Sequence, residues 1–421
     1  MEYAAPDSLT AGNGSLIRWQ GQALLYLMYV GLLLITFLTQ APLTLEQGLG
    51  WDGVAYGQMA TQLQAGQQVV ADRPFCYRLG TPWLASLLTE HLPLTSSFML
   101  INLLPILFYP VLLLRLWRQF AMRDGVAWLF IFIFVLSWHA TPRFNFFYPA
   151  TPDPWLWFFV LLLLPELRRS RLGTIWYPLL MFVGVLFREL VLWVALAALI
   201  GRILTTRRTD WRSDGELRRH LIALIGGAMA LLLTHLLVEG TGEYTYLRAG
   251  VGMFWHKPFP VWINGWFGAF GILLIPALCS WRWLQEWVRA NPQAAVWLGG
   301  LWLLGWFGGS DTIRIMFWSA PLAFVLLYDH YRAHTGFYHR WWVLLLLLLV
   351  HLLSQRWGTP IPDYDPAAVS QLPLFTPQGI SCPYLDLEPQ HASHWVSKIA
   401  LAQYFAASLL LAWSFLHWRK T

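Results

Sequence analysis

The sequence predicts an all-α, polytopic bundle of transmembrane helices, and three observations carry the prediction. Of the 421 residues, 57% are hydrophobic and only 12% charged, with a mean hydropathy of +0.49, which is too apolar for a water-soluble domain. Apolar segments long enough to cross about 30 Å of hydrocarbon recur along the whole chain. Clusters of arginine separate those segments at alternate turns, and this asymmetry orients a bundle in a membrane.

Taken in order, the apolar segments lie near 21–40, 96–118, 125–139, 153–167, 175–187, 189–205, 220–238, 262–281, 294–309, 313–331, 341–357 and 399–418. This gives about twelve crossings, within a range of about 10 to 13 because several segments are short. The chain reads as one integral membrane domain over 1–421. The piece at 81–93, TPWLASLLTEHLP, is too short to span alone and is either re-entrant or a lead into the next span. The polar N-terminus and the absence of a small-residue cleavage pattern argue against a cleaved signal peptide.

Arg18, Arg115/Arg118/Arg123, Arg168/Arg169/Arg171, Arg202 to Arg219, Arg282/Arg289, Arg332/Arg340 and Arg419/Lys420 fall on one side in this scheme. The positive-inside rule then places both termini in the cytoplasm, as expected for a bacterial inner membrane. The outer face receives the loops 41–80, 140–153, 239–261 and 358–398, with turns near 188 and 310. The cytoplasmic loops read as short arginine turns with little else in them. The net charge of +6 is spread over these loops and does not indicate nucleic-acid binding. The 27 tryptophans, among them Trp138, Trp155, Trp255 and Trp262, cluster at span ends as an interfacial belt would. Cys76 and Cys382 share the outer face, where either a disulfide or two free thiols would be compatible with the sequence.

Charge concentrates on that outer face. Acids and arginines near hydrocarbon cost several kcal/mol unless paired, so their collection at one end marks a candidate site. The loop 41–80 contains WDGVAYGQMATQLQAGQQVVADRPFCYR. There Val54, Met59 and Leu63 recur at helical spacing, predicting a short amphipathic helix along the membrane surface. Asp52 suits an N-cap for that helix as well as a general base, and the two roles are compatible. Asp72, Arg73, Tyr77 and Arg78 form either an ion-paired turn or a phosphate grip, for which the guanidinium fork is well shaped.

Further along, Thr151-Pro152-Asp153-Pro154 matches a helix start and equally a functional Asp153. Arg188 and Glu189 read as a neighbouring salt bridge or as a charge pair placed for function. Asp311 and Arg314 are three apart and share a helix face, where a local ion pair is the simplest reading. The proline-rich segment 358–398 reads as an irregular lid over the outer face or as a solvated linker. The lone histidines lack metal-ligand spacing, and no HExxH, CxxC, Walker or GxSxG pattern is present.

These residues resemble the GT-C superfamily of polytopic glycosyltransferases, which use polyprenyl-phosphate sugars. The resemblance lies in WDGVAYGQMA, RPFCYRLGTPWLASLL, TPDP and DTIRIMFWSAP, and covers the first 190 residues or so plus the last of these segments. It implies an inverting membrane transferase that moves a sugar from a polyprenyl-phosphate donor to a hydroxyl of a glycan, lipid or protein acceptor on the outer face. Asp52 would be the base, Asp153 a second acid, and Arg73, Arg78, Arg188 and Arg314 would meet the phosphate. Tyr56, Asp72, Tyr77, Glu189 and Asp311 would support them. A divalent cation (Mg or Mn) on Asp52 and Asp153 stays open, because many members carry adjacent acids in the first loop whereas Asp52 stands alone. A transporter or flippase of an anionic lipid, and a surface-polysaccharide polymerase or ligase, use the same charge set.

Overall fold

In the computed structural model, the described residues are 14–138, 140–168, 172–206, 214–257, 259–308, 311–357, 359–361, 363 and 393–419. They form an almost entirely helical bundle. Its main elements are α1 (Gly14–Thr39), α2 (Gly50–Gln64), β1 (Val69–Asp72), α3 (Leu94–Arg118), α4 (Asp124–Leu136) and α5 (Thr141–Phe147). These are followed by α6 (Asp153–Leu163), α7 (Trp176–Phe187), α8 (Leu192–Thr205), α9 (Gly215–Leu237), β2 (Val238–Thr241) and α10 (Tyr246–His256). The chain continues through α11 (Phe259–Phe270), α12 (Pro292–Phe307), α13 (Thr312–Phe317), α14 (Ala320–Ala333), α15 (Trp341–Ser354) and α16 (Ser393–Trp418).

Among the described residues, five stretches are long and apolar enough to cross a membrane: Gln20–Thr39, Leu94–Arg118, Asp124–Phe147, Gly215–Leu237 and Lys398–Trp418. Two shorter apolar helices, α7 and α15, accompany them. Extended residues mark two of the helix ends. Arg188 is extended at φ −161° and ends α7, and Ser137 is extended after α4. Pro105 and Pro110 lie within α3, as membrane helices tolerate where neighbours satisfy the freed carbonyls.

One large core runs through the bundle, with Tyr29, Trp117, Trp157, Tyr177 and Trp297 fully buried. A second, smaller core collects Leu43, Tyr56, Met59, Val69, Phe98, Phe144, Tyr148 and Val238, and it holds the segment 41–80 against the bundle end. Two features of that loop differ from the sequence reading. The buried face of α2 is Gly50, Gly53, Tyr56, Gly57, Met59 and Ala60, so small residues let it pack closely on protein in place of a Val54-Met59-Leu63 stripe. An unforeseen parallel strand pair also joins β1 to β2, in the register Val69 to Val238 through Asp72 to Thr241. It satisfies backbone groups of two polar loops and ties 41–80 to 239–261.

The described residues just after α15 share this end of the molecule. Gln40 exchanges two hydrogen bonds with Ile361, at 2.8 and 2.7 Å. The Thr44 hydroxyl donates to Asp363 at 2.6 Å. Most of the expected lid at 358–398, with Cys382, lies outside the described residues; Cys76 is a buried free thiol.

Candidate functional site

The smaller core places a charged lattice where four breaks in the helical bundle meet. Arg78, from the turn after β1, donates Nε and one terminal nitrogen to the two Glu189 oxygens at 2.9 and 2.6 Å. Its other terminal nitrogen donates to the Tyr56 hydroxyl at 2.8 Å. Arg188 forms a buried ion pair with Asp153, and its guanidinium lies 4.6 Å from the Trp318 ring centroid. Arg314 Nε is 2.9 Å from Asp311 and 3.5 Å from Asp153, with Phe144 beneath it at 5.3 Å. Asp311 also caps α13 by accepting from the Arg314 backbone N–H at 3.3 Å.

These pairings correct one reading of the sequence. Arg188 and Glu189 are adjacent but do not pair with each other. The extended backbone at Arg188 turns the two side chains toward different partners, Asp153 on α6 and Arg78 in the turn after β1. The local Asp311–Arg314 pair forms as the spacing suggested.

Electrostatics reflect the crowding. Burial, together with the charges of Arg78 and Arg314, pushes Arg188 below its usual range. Burial would do the same to Arg78, but Glu189 and Tyr56 outweigh it and hold Arg78 well above. Asp311 is raised by burial, which the Arg314 charge only partly offsets.

Asp52 occupies the first turn of α2. The helix begins from Leu49 without a side-chain cap, so Asp52 is not the N-cap; its charge still favours the positive end of the helix. Two contacts fix this turn. The Gly53 N–H donates to the Tyr148 hydroxyl at 2.7 Å. Gly50, at φ +65°, lies so close to Tyr148 and Leu43 that a Cβ would meet them at 2.6 and 2.8 Å. The Asp52 charge is felt by Tyr56, Tyr148 and Asp311. The carboxylate itself is half-buried and makes no hydrogen bond or ion pair among the described residues.

Asp72, Arg73 and Tyr77 sit to one side. Asp72 accepts from the Thr241 hydroxyl at 2.5 Å, and the Arg73 N–H donates to Thr241 O at 3.0 Å. The Arg73 side chain lies over Gly240. Tyr77 packs on Tyr246 with ring centroids 6.1 Å apart. The structure thus gathers Asp52, Tyr56, Arg78, Asp153, Arg188, Glu189, Asp311 and Arg314, and leaves Asp72, Arg73 and Tyr77 at the strand pair.

A divalent cation fits this donor set poorly. Asp153 lies between two guanidiniums, which repel a cation, and no group of three His, Cys, Asp or Glu residues suited to a metal occurs among the described residues. Tyr148 was missed in the sequence; a Phe-rich stretch before a Pro gives no local sign of a hydroxyl aimed at another loop. Next to the site, α1, α3 and Phe146 line an apolar groove of about 440 Å³ that includes Leu33, Phe37, Met99 and Leu103.

The opposite end of the bundle also departs from expectation, since its arginine turns carry acidic partners. Arg219 pairs with buried Glu166 and with Glu216, Arg202 with Asp214, and Arg118 with Asp124. Comparison of the chain with protein-family models, curated proteins and solved structures finds no match.

Proposed function

We propose that this chain is a membrane glycosyltransferase of GT-C type, moving a sugar from a polyprenyl-phosphate donor to an acceptor hydroxyl. The observation that carries the reading is the unpaired Asp52 carboxylate beside a lattice of three arginines already held in place by Glu189, Asp153 and Asp311. In the proposed step, Asp52 takes the acceptor O–H proton as the oxygen attacks the anomeric carbon. The carbon–oxygen bond to phosphate breaks with inversion, and the lipid phosphate leaves with the electron pair. Charge builds on that phosphate, and preorganised guanidiniums stabilise it without reorganising. Arg188 and Arg314, which share Asp153, and Arg78, bonded to Tyr56 one turn from Asp52, would meet the phosphate. Arg73 would act at the rim. Asp153 orients the arginines in this scheme, and no metal takes part in it. The groove between α1 and α3 would accept the prenyl chain.

In this reading the chain crosses a bacterial cytoplasmic membrane about twelve times, with both termini inside and the site outside. The interrupted helices at Arg188 and before α13 favour a second reading, a transporter of an anionic lipid, because broken helices build transporter binding sites. Incubating the purified protein with a panel of labelled polyprenyl-phosphate sugars and candidate acceptors separates the two. Release of free lipid phosphate, undiminished by a chelator, is the transferase outcome. Binding without release across the panel sinks the transferase reading.

A further inference from the structure

The loop between β2 and α11 contains a helix whose exposed side is apolar. In α10, Leu247, Val251, Phe254 and Trp255 are 80%, 49%, 45% and 75% exposed. Their spacing of i, i+4, i+7 and i+8 puts them on one face. One edge of this face meets α12: Phe254 stacks on Trp306 with ring centroids 5.3 Å apart, and Gly250 faces Phe307.

Both ends of α10 are tethered at the same level of the bundle. At its start, Tyr246 packs on Tyr77 and lies beside Glu189, a few residues beyond the end of α9. At its finish, Lys257 is buried and donates Nζ to Gly305 O and Thr312 Oγ1, both at 2.9 Å. Both ends are thus tied to the end of the bundle that carries the charged site.

The preceding helix also exposes an apolar stripe. On α9, Ile225, Met229, Leu232 and Leu236 are all exposed, and this stripe runs up to β2. Phe259, at the start of α11, is exposed as well. Arg248, at the helix start, is solvent-exposed, where it can reach lipid phosphates.

We infer that α10 is an interfacial helix, seated in the lipid leaflet on the side of the charged site, with Leu247, Val251, Phe254 and Trp255 in the acyl boundary and Arg248 at the phosphates. Tyr246 makes this helix the physical link between that leaflet and the Arg78–Glu189 pair. The inference is independent of what reaction the site performs.

The test uses single spin labels at Leu247→Cys, Val251→Cys and, as a control, Glu243→Cys. The background is Cys76→Ser, Cys279→Ser, Cys382→Ser, in nanodiscs of phosphatidylethanolamine and phosphatidylglycerol. Collision rates with oxygen and with a nickel chelate give depth. Labels at 247 and 251 are expected about 5–10 Å below the phosphates, with the label at 243 in water. Water-like rates at 251 would overturn the inference, and so would occlusion from both reagents, the sign of a protein partner such as a second copy. If the cysteine replacements fail to fold, wild-type protein in vesicles containing a diazirine-labelled phospholipid serves instead. Crosslinks mapping to Leu247, Val251 or Trp255 support the inference, and their absence alongside crosslinks on α9 refutes it.

Discussion

Replacing Glu189 by alanine leaves Arg78 buried with one neutral partner, and the size of the effect follows from the geometry. The Arg78 and Glu189 side chains are 8% and 20% exposed, joined by two hydrogen bonds at 2.9 and 2.6 Å. Removing one member of a fully buried pair costs about 3–5 kcal/mol. Water reaches one-fifth of Glu189, and the Tyr56 hydroxyl remains on Arg78 at 2.8 Å. The expected loss for Glu189→Ala is therefore at the lower end, about 3 kcal/mol. Arg78→Met should cost a similar amount. The double variant Arg78→Met/Glu189→Met removes both charges, so it should cost clearly less than the two single losses together, with a coupling of about 2 kcal/mol. Reversible unfolding in mixed micelles, followed by tryptophan fluorescence, measures all four corners of the cycle. Single losses below about 1 kcal/mol that simply add would refute the pairing as a bond that helps hold the segment 41–80 to the bundle.

Other substitutions probe the same end of the molecule. Gly53→Ala should gain up to about 1 kcal/mol of helix propensity, yet its Cβ would lie 2.6 Å from Ala150 Cβ; the expected net loss of about 1–2 kcal/mol is read by the same unfolding assay. Tyr148→Phe removes the acceptor for the Gly53 N–H and should cost about 1 kcal/mol, with faster amide exchange in the first turn of α2. Burial raises Asp311, so its contribution is fully present below the ordinary carboxylate range and is lost as pH rises through its raised value. Asp311→Asn should flatten that part of the stability–pH curve, and an unchanged curve would argue against the raised carboxyl.

The helical architecture and the polar character of one bundle end were legible because apolar length and arginine placement are local properties of the sequence. The local Asp311–Arg314 pair was legible for the same reason, being set by helical spacing. What was not legible depends on distant parts meeting. Arg188 and Glu189 suggest each other in sequence, whereas the extended backbone between α7 and α8 hands one to Asp153 and the other to Arg78. The β1–β2 pair joins residues some 170 positions apart, and four-residue strands in polar loops carry almost no periodic signal. Tyr148 was hidden because its role is a hydroxyl offered to the Gly53 backbone 95 positions away in the chain. The acids that partner the arginines at the other bundle end, Glu166 and Asp214, were discounted because the positive-inside rule counts only the bases.

The most direct test of the proposed chemistry compares wild-type protein with Asp52→Asn on the polyprenyl-phosphate sugar that wild type turns over, measuring both lipid binding and release of lipid phosphate. Asparagine keeps the shape of the first turn of α2 but cannot take the acceptor proton. The expected result is release reduced by about 10²-fold or more, with lipid binding nearly unchanged because the arginine lattice is intact. Release at the wild-type rate would remove Asp52 from the reaction and contradict the assignment of this carboxylate as the base.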